Sequence, residues 1–182
     1  VRGSLARAVS NHIIHTFRGV RCAVPASSLD ARVNAFKDKV LPSLLRRRGA
    51  TIAGARSLIY CGSYPEFLAC RAALREQGAD FVSIHEYSRD SEVSRGRSRF
   101  FHGRAPLLLY SGRAHFYQRY RIRGASNYVF VSPPDHAHFY SELLSFARDD
   151  EATGAAPTAL CLYTRFDACL LYTSPSPRDS GK

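Results

Sequence analysis

The 182-residue sequence has no tryptophan and no methionine, and only three of its 26 basic residues are lysines: Lys37, Lys39 and Lys182. The starting methionine is among those missing, so the chain is expected to begin inside a longer reading frame. No apolar run approaches the roughly 18 residues that a membrane-crossing helix needs, Val1 opens no signal-peptide pattern, and no membrane partner is expected. Cysteine is sparse and unpatterned, since Cys22, Cys61, Cys70, Cys161 and Cys169 form no CxxC pair and share no zinc-type spacing with histidine. That argues against a disulfide framework and predicts reduced core thiols, with neither metal nor cofactor. Acids are scarce too: fifteen Asp and Glu leave a formal charge of +11 and a pI of about 9.9. Such a surface favours an anionic partner, and arginine suits phosphate because its planar fork donates bidentately. The codon usage of a GC-rich genome would equally explain the Arg:Lys ratio, though not the net charge.

What is present is an alternation of short apolar runs with helix-length amphipathic stretches, the pattern of an α/β fold in which a parallel sheet is flanked by crossover helices. Strands are expected at Ser57–Cys61, Phe81–His85, Leu107–Ser111, Tyr128–Ser132 and Ala159–Tyr163. Between them, helices are expected from Pro65 to the stop at Gly78, from a cap at Asp90 or Ser91 to Gly103, and from His136 to Phe146, with a short helix or turn over Arg113–Tyr120. Upstream, Leu29, Val33, Phe36, Val40 and Leu44 recur at helical spacing, which predicts a helix over Ser28–Arg48 bent at Pro42. His12–Phe17 reads as either a strand or a helix end.

The organisation expected is an N-terminal segment with a lead-in helix over 1–50, one α/β domain over 51–168, and a tail over 169–182. The tail is set apart because Cys169–Asp179, CLLYTSPSPRD, is what a sequencing-adapter DNA encodes when translated. The native chain is thus expected to stop near Ala168, without the helix that should cover the last strand.

Between Arg89 and Arg123 lie nine arginines and only two acids, Asp90 and Glu92. Arg95, Arg97 and Arg99 fall on one short helix, and Arg113, Arg119, Arg121 and Arg123 surround His115, Phe116, Tyr117 and Tyr120. Guanidinium groups that neutralise phosphate, interleaved with rings that stack on bases, are what single-stranded nucleic acid requires. The RNA-contact candidates are therefore Arg95, Arg97, Arg99, Arg113, His115, Tyr117, Arg119, Tyr120, Arg121 and Arg123. The plainer alternative puts Phe116 and Tyr120 in the core and makes the arginines a solvated face or a grip on acidic proteins.

Four segments carry a resemblance to a known family: HEYS (His85–Ser88), VSRGRSRFF (Val93–Phe101), HFYQRYRIRG (His115–Gly124) and HFYSEL (His138–Leu143). Together with a weaker match at CLYTRFDA (Cys161–Ala168), they make residues 20 to 168 resemble the digestive organ expansion factor family, also called small nucleolar RNA-associated protein 25. The resemblance implies a RecA-like fold of the helicase second-domain type, incomplete here at the C-terminus. It also implies a helicase-like component of the nucleolar small-subunit processome, in the nucleus. The implied partners are pre-ribosomal RNA, small nucleolar ribonucleoprotein components, processome assembly proteins and the first RecA-like domain of the same protein. Where the family carries an acid in its LLYTER element, this chain reads Leu109, Tyr110, Ser111, Gly112, Arg113.

The chemistry of an active second RecA domain can be checked against these residues. It needs a Gly-Asp turn coupling nucleotide to RNA and, later, a pair of arginines that stabilise charge on the transferring phosphate. Here Arg123 and Gly124 are followed by Ala125 and Ser126, and Pro134–Leu144 holds His136, His138 and Glu142 but no arginine. No enzymatic activity and no catalytic residue are expected. Asp135, His136 and His138 do not converge, because alternate residues on a helix point apart, and Asp135 reads better as a helix cap. Glu86 and Ser63 have no partner that sequence can place. Two alternatives stay open: an ATP-dependent RNA helicase whose first domain lies outside this chain, and a protein-only interaction scaffold.

Overall fold

The computed structural model describes residues 13–50, 55–147 and 155–167, with the side chains of 47–50 left aside. Its centre is a strand with no polar face: β2 (Ser57–Cys61) is buried at every position, as is β4 (Leu107–Ser111) beside it. Runs of this kind belong in a parallel sheet covered on both sides, because helical crossovers shield each face. β3 (Phe81–Ile84), β5 (Asn127–Phe130), β6 (Thr158–Thr164) and β1 (Ile14–Val20) complete six strands, all parallel, in the order β1-β6-β5-β2-β4-β3.

The five expected strands are all present, with ends shifted by a residue or two. The ambiguous segment before them is a strand as well: β1 pairs with β6 from Ile14 opposite Thr158 to Val20 opposite Thr164. Of the lead-in expected over 1–50, Ile14–Val20 is thus a strand of the same sheet, and its helical part packs on one face of that sheet. Residues 1–12 and the tail from 168 lie outside the described residues, as does any helix after β6.

Six helices cover the sheet. On one face are α1 (Ser28–Ala35), α2 (Leu41–Ala50) and α3 (Tyr64–Glu76), packed on Ile59, Cys61, Leu107, Leu109, Val129 and Leu162. On the other are α4 (Asp90–Phe101), α5 (Gly112–Gln118) and α6 (Ala137–Leu144), over a core that includes Tyr60, Tyr110, Tyr128, Phe130 and Tyr140. Each fully buried ring or aliphatic side chain contributes roughly 1.5–3 kcal/mol. Among the described residues no helix is long and apolar enough to cross a membrane.

Three local features depart from the sequence reading. α1 does not simply bend at Pro42: a π-helical segment, Phe36–Val40, links it to α2, and the Leu41 N–H reaches back to the Phe36 carbonyl. Pro42 lacks the N–H that would continue the ladder and its ring crowds the preceding turn, so a wider turn just before it relieves both. The cap of α4 is Arg89 rather than Asp90 or Ser91; its N–H is satisfied by the Glu92 carboxylate at 3.1 Å. Asp135 does not cap α6 either, since the capping position is His136 and carries no side-chain cap.

Two sets of contacts fix how the helices present their outer surfaces. α4 lies close on β3 because Gly96 has no side chain; a Cβ there would stand 2.5 Å from Val82 Cγ1. Under the other face, a buried ionic network ties remote segments together. Arg32 Nε donates to Glu66 Oε1 at 3.2 Å, and its Nη1 donates to both Asp167 oxygens at 3.1 and 2.8 Å. Glu66 Oε2 accepts the Gly62 N–H at 2.9 Å and the Ser132 hydroxyl at 2.7 Å, while the Thr164 N–H and hydroxyl both donate to Asp167. Burial pushes the Glu66 carboxyl above its ordinary value, with Ser132 and Arg32 pulling the other way.

Candidate nucleic-acid interface

α4 buries Val93, Gly96 and Phe100 and turns its arginines outward. Arg95 is exposed, Arg97 donates to the Arg121 carbonyl at 2.8 Å, and Arg99 pairs with Asp80 at 3.5 Å. The Arg97 guanidinium also lies 6.0 Å from the Tyr120 ring centre. The extended segment after α5 therefore runs alongside α4. In it Ile122 is buried between the exposed Arg121 and Arg123, so both arginines face outward from the same strip.

The rest of the basic, aromatic segment forms a second group, at the C-terminal ends of β3, β4 and β5. Ser111 caps α5, accepting the Ala114 N–H at 3.4 Å, and the helix ends at Arg119, the only non-glycine described with positive φ, at 47°. Phe116 is 52% exposed and Tyr117 is 61% exposed, which removes Phe116 from the core. Phe116 stacks on His136 with ring centres 5.8 Å apart, and His136 stacks on His138 at 5.5 Å. Arg113 stands beside Glu86, its Nε 3.7 Å from Oε1, and Ser111 donates to Glu86 Oε2 at 2.7 Å.

Two of the expected contact residues are committed internally. His115 is only 3% exposed and offers no face to a base. Its Nε2 bonds Glu142 and its Nδ1 bonds the Tyr110 hydroxyl, each at 3.2 Å. Burial lowers the His115 pKa despite the opposing pull of Glu142. The ring is then neutral, with Nε2–H donating to the carboxylate and Nδ1 accepting from the tyrosine. Arg119 donates to Glu142 and stacks 4.8 Å above Phe139. The pair joins α5 to α6 and holds the ring ladder in place.

The candidates thus do not converge on one site. Arg95, Arg97, Arg121, Arg123 and the half-buried Tyr120 line the flank of α4, with Arg99 at its far end, whereas Arg113 and Tyr117 belong to the C-terminal rim. Sequence reading missed Glu86, Tyr87, His136 and His138 as members of that rim, and it named Phe116 in the aromatic cluster but not among the contact candidates. Glu86 is an acid directly after a strand, but its partners Ser111 and Arg113 come from another strand end, and no local pattern shows that. Ser63, likewise unplaced by sequence, caps α3 by accepting the Glu66 N–H at 3.4 Å. Among the described residues no group of His, Cys, Asp and Glu is placed to hold a metal ion.

The positions that the sequence reading compared with an active second RecA domain are closely packed. Ala125, which follows Gly124 where a Gly-Asp turn would carry its Asp, is fully buried, and the N–H of the buried Ser126 donates to the Arg56 carbonyl at 3.0 Å. Gly112, where the family's acid is expected, sits against packed atoms: a Cβ would stand 2.6 Å from the Tyr60 hydroxyl and 2.9 Å from the Gly62 carbonyl oxygen. In open α/β sheets this crevice outside the strand ends is where ligands bind. Here the buried Tyr60 hydroxyl lies against the Gly112 backbone just after β4.

A six-stranded parallel sheet wrapped in this order, with helices on both faces, is a RecA-like domain of the kind that forms the second half of helicases. It superimposes on E. coli DEAD-box protein SrmB, solved bound to the regulator of ribonuclease activity A, with a TM-score of 0.61 at 16% identity, covering 89% of this chain and 83% of that one. The C-terminal domain of the DEAD-box protein Dbp5 gives 0.58 at 18% identity, over 84% and 77%. These likenesses show the fold alone. Sequence places the chain more finely: it belongs to the Utp25 C-terminal domain family, whose family model matches residues 5–173. The human U3 small nucleolar RNA-associated protein 25 homolog is 37% identical over 155 residues, covering 85% of this chain and 20% of that protein. The Schizosaccharomyces japonicus U3 small nucleolar RNA-associated protein 25 is 32% identical over 160 residues, covering 86% and 24%. The chain spans about a fifth of the length of the curated relatives it matches.

Proposed function

We propose that this chain is the RecA-like C-terminal part of a non-catalytic component of the nucleolar small-subunit processome, and that it contacts pre-ribosomal RNA during small-subunit assembly. The relatives' association with U3 small nucleolar RNA, stated in their names, supports the setting. The observation that carries RNA contact is the strip of outward arginines along α4, Arg95, Arg121 and Arg123, on a chain of net charge +11. The non-catalytic reading is supported by an α6 that contains no arginine, by the absence of an Asp after Gly124, and by the close packing around Gly112. Small nucleolar ribonucleoprotein components, processome assembly proteins and the first RecA-like domain of the same protein are the further partners in this reading.

The test is binding of a structured pre-ribosomal RNA fragment by the full-length protein as salt is raised. Affinity should fall steeply with salt, and Arg95→Glu, Arg121→Glu and Arg123→Glu together should weaken it about tenfold or more, since each phosphate contact adds to the counterions released. Affinity unchanged in the triple variant would refute RNA contact by this strip and leave a grip on acidic proteins. RNA-stimulated ATP turnover above background in the full-length protein would refute the word non-catalytic.

A further inference from the structure

One polar atom on the rim is left without the partner its burial requires. Glu86 follows β3, and its side chain is 7% exposed. Oε2 accepts the Ser111 hydroxyl, but Oε1 is buried and accepts no hydrogen bond. The nearest cation, Arg113, has its Nε 3.7 Å away, beyond hydrogen-bonding distance. A carboxylate oxygen shielded from water accepts a hydrogen bond in nearly every protein, so one without a donor calls for an explanation.

Its surroundings indicate what donor would suit. Tyr87, next in sequence, is 68% exposed and is held edge-on by Tyr64 with ring centres 5.5 Å apart. Tyr117 is 61% exposed and lies on α5 four residues after Arg113, one helical turn on and therefore on the same side of the helix as the arginine that stands against Glu86. An acid repels phosphate, so within a basic surface it marks a place for a neutral group that donates protons. Flanking rings that are more than half exposed favour a flat group that stacks. Among the unpaired bases, only guanine presents two adjacent N–H donors, N1–H and N2–H, with no acceptor between them, and these match the two oxygens of one carboxylate.

We propose that Glu86, with Tyr87 and Tyr117, forms a pocket that reads an unpaired guanine of bound RNA, and that Arg113 is its cover. The Arg113 side chain is 55% exposed and is free to turn outward to a phosphate of the same nucleotide, which uncovers Oε1 for the base. Glu86 would then exchange a loosely placed cation for hydrogen bonds. This pocket rests on the RNA-contact reading but adds a base preference, which the α4 strip does not supply.

The experiment uses full-length protein and oligouridylates of about ten nucleotides that carry at the centre uridine, guanosine, inosine or adenosine. Wild type should bind the guanosine oligomer about tenfold more tightly than the adenosine or uridine ones, with inosine, which lacks the N2 donor, in between. Glu86→Gln keeps the shape and the Ser111 contact but presents one acceptor and one donor, which is adenine's complement. It should lose the guanosine advantage and gain one for adenosine, each advantage being taken as the ratio to oligouridylate binding by the same variant. Tyr117→Ala should lower the guanosine advantage without reversing it. Equal, salt-sensitive binding of all four oligomers by wild type overturns the pocket and leaves the RNA-contact reading standing. No binding of any oligomer overturns both. A guanosine preference that survives Glu86→Gln places the reader elsewhere. Loss of a protein crosslink in that variant, with oligomer affinities unchanged, makes Glu86 a protein contact and overturns the proposal.

Discussion

Under α1, α2 and α3 the polar groups are sunk into the layer and paired with one another. Over α4, α5 and α6 the interior polar groups are mostly tyrosine hydroxyls, and the arginines stand outside, with Glu86 the buried acid at the rim. On the first face Arg32, Glu66 and Asp167 draw together α1, α3 and the loop after β6, with Gly62, Ser132 and Thr164 supplying the remaining donors. On the second, Tyr60, Tyr110, Tyr128 and Tyr140 lie within the core, while Arg95, Arg121, Arg123, Phe116 and Tyr117 face outward. The first face therefore uses an ionic network to tie distant segments together, whereas the second relies on packed rings, with Arg95, Arg121 and Arg123 exposed beside it.

Removing a partner from the buried network should break the comparison most severely. Arg32→Met leaves Glu66 and Asp167 buried without their cation, and the loss of stability should be about 3–5 kcal/mol by urea denaturation, larger than for any arginine on the α4 side. A smaller loss is expected where the two faces meet. Gly112→Glu, which restores the family's acid, drives a side chain against Tyr60 and the Gly62 backbone and should cost about 1–3 kcal/mol. A wild-type stability in that variant would show that the crevice opens readily.

The α4–α6 face should respond to acid through His115. Burial makes its proton affinity lower in the folded than in the unfolded chain, so the unfolded state takes up the proton first. The stabilising contribution is therefore complete above the ordinary histidine value of about 6.5 and is lost as the pH falls below it. His15 and His85 are also lowered by burial and act in the same direction. Urea midpoints measured across this range should fall on the acid side, and His115→Gln should reduce that slope without abolishing it. The smallest effect on stability is expected from the outward arginines. Arg95→Glu or Arg121→Glu should change it by no more than about 0.5 kcal/mol while weakening RNA binding, a separation that no network residue should show.

The interior of this fold was open to sequence reading because β2 and β4 are apolar at almost every position and each helix changes the period from two to about three and a half. β1 was not. It is an edge strand with alternating burial, and its identity depends on pairing with β6 at the other end of the chain. The basic strip was legible as composition, and its family motifs were legible as words. Which of those residues are available was not, because availability is decided by partners far off in sequence. His115 is claimed by Glu142 from α6, Arg97 by the carbonyl of Arg121, and Arg113 stands by an acid from a different strand end. The Arg32–Asp167 contact lies at the same extreme and has no local trace at all.

The pairing of β1 with β6 sets the order in which this domain can be completed. Strands β2 to β5 and their helices can assemble from neighbouring segments, but β1 must wait for a partner made after all of them, and so must the Arg32–Asp167 bridge. Contacts between residues so distant in sequence close the largest loop and form slowly. During synthesis β1 therefore emerges before the other described strands and is enclosed after them, and until β6 arrives the exposed flank of β5 needs protection from other chains.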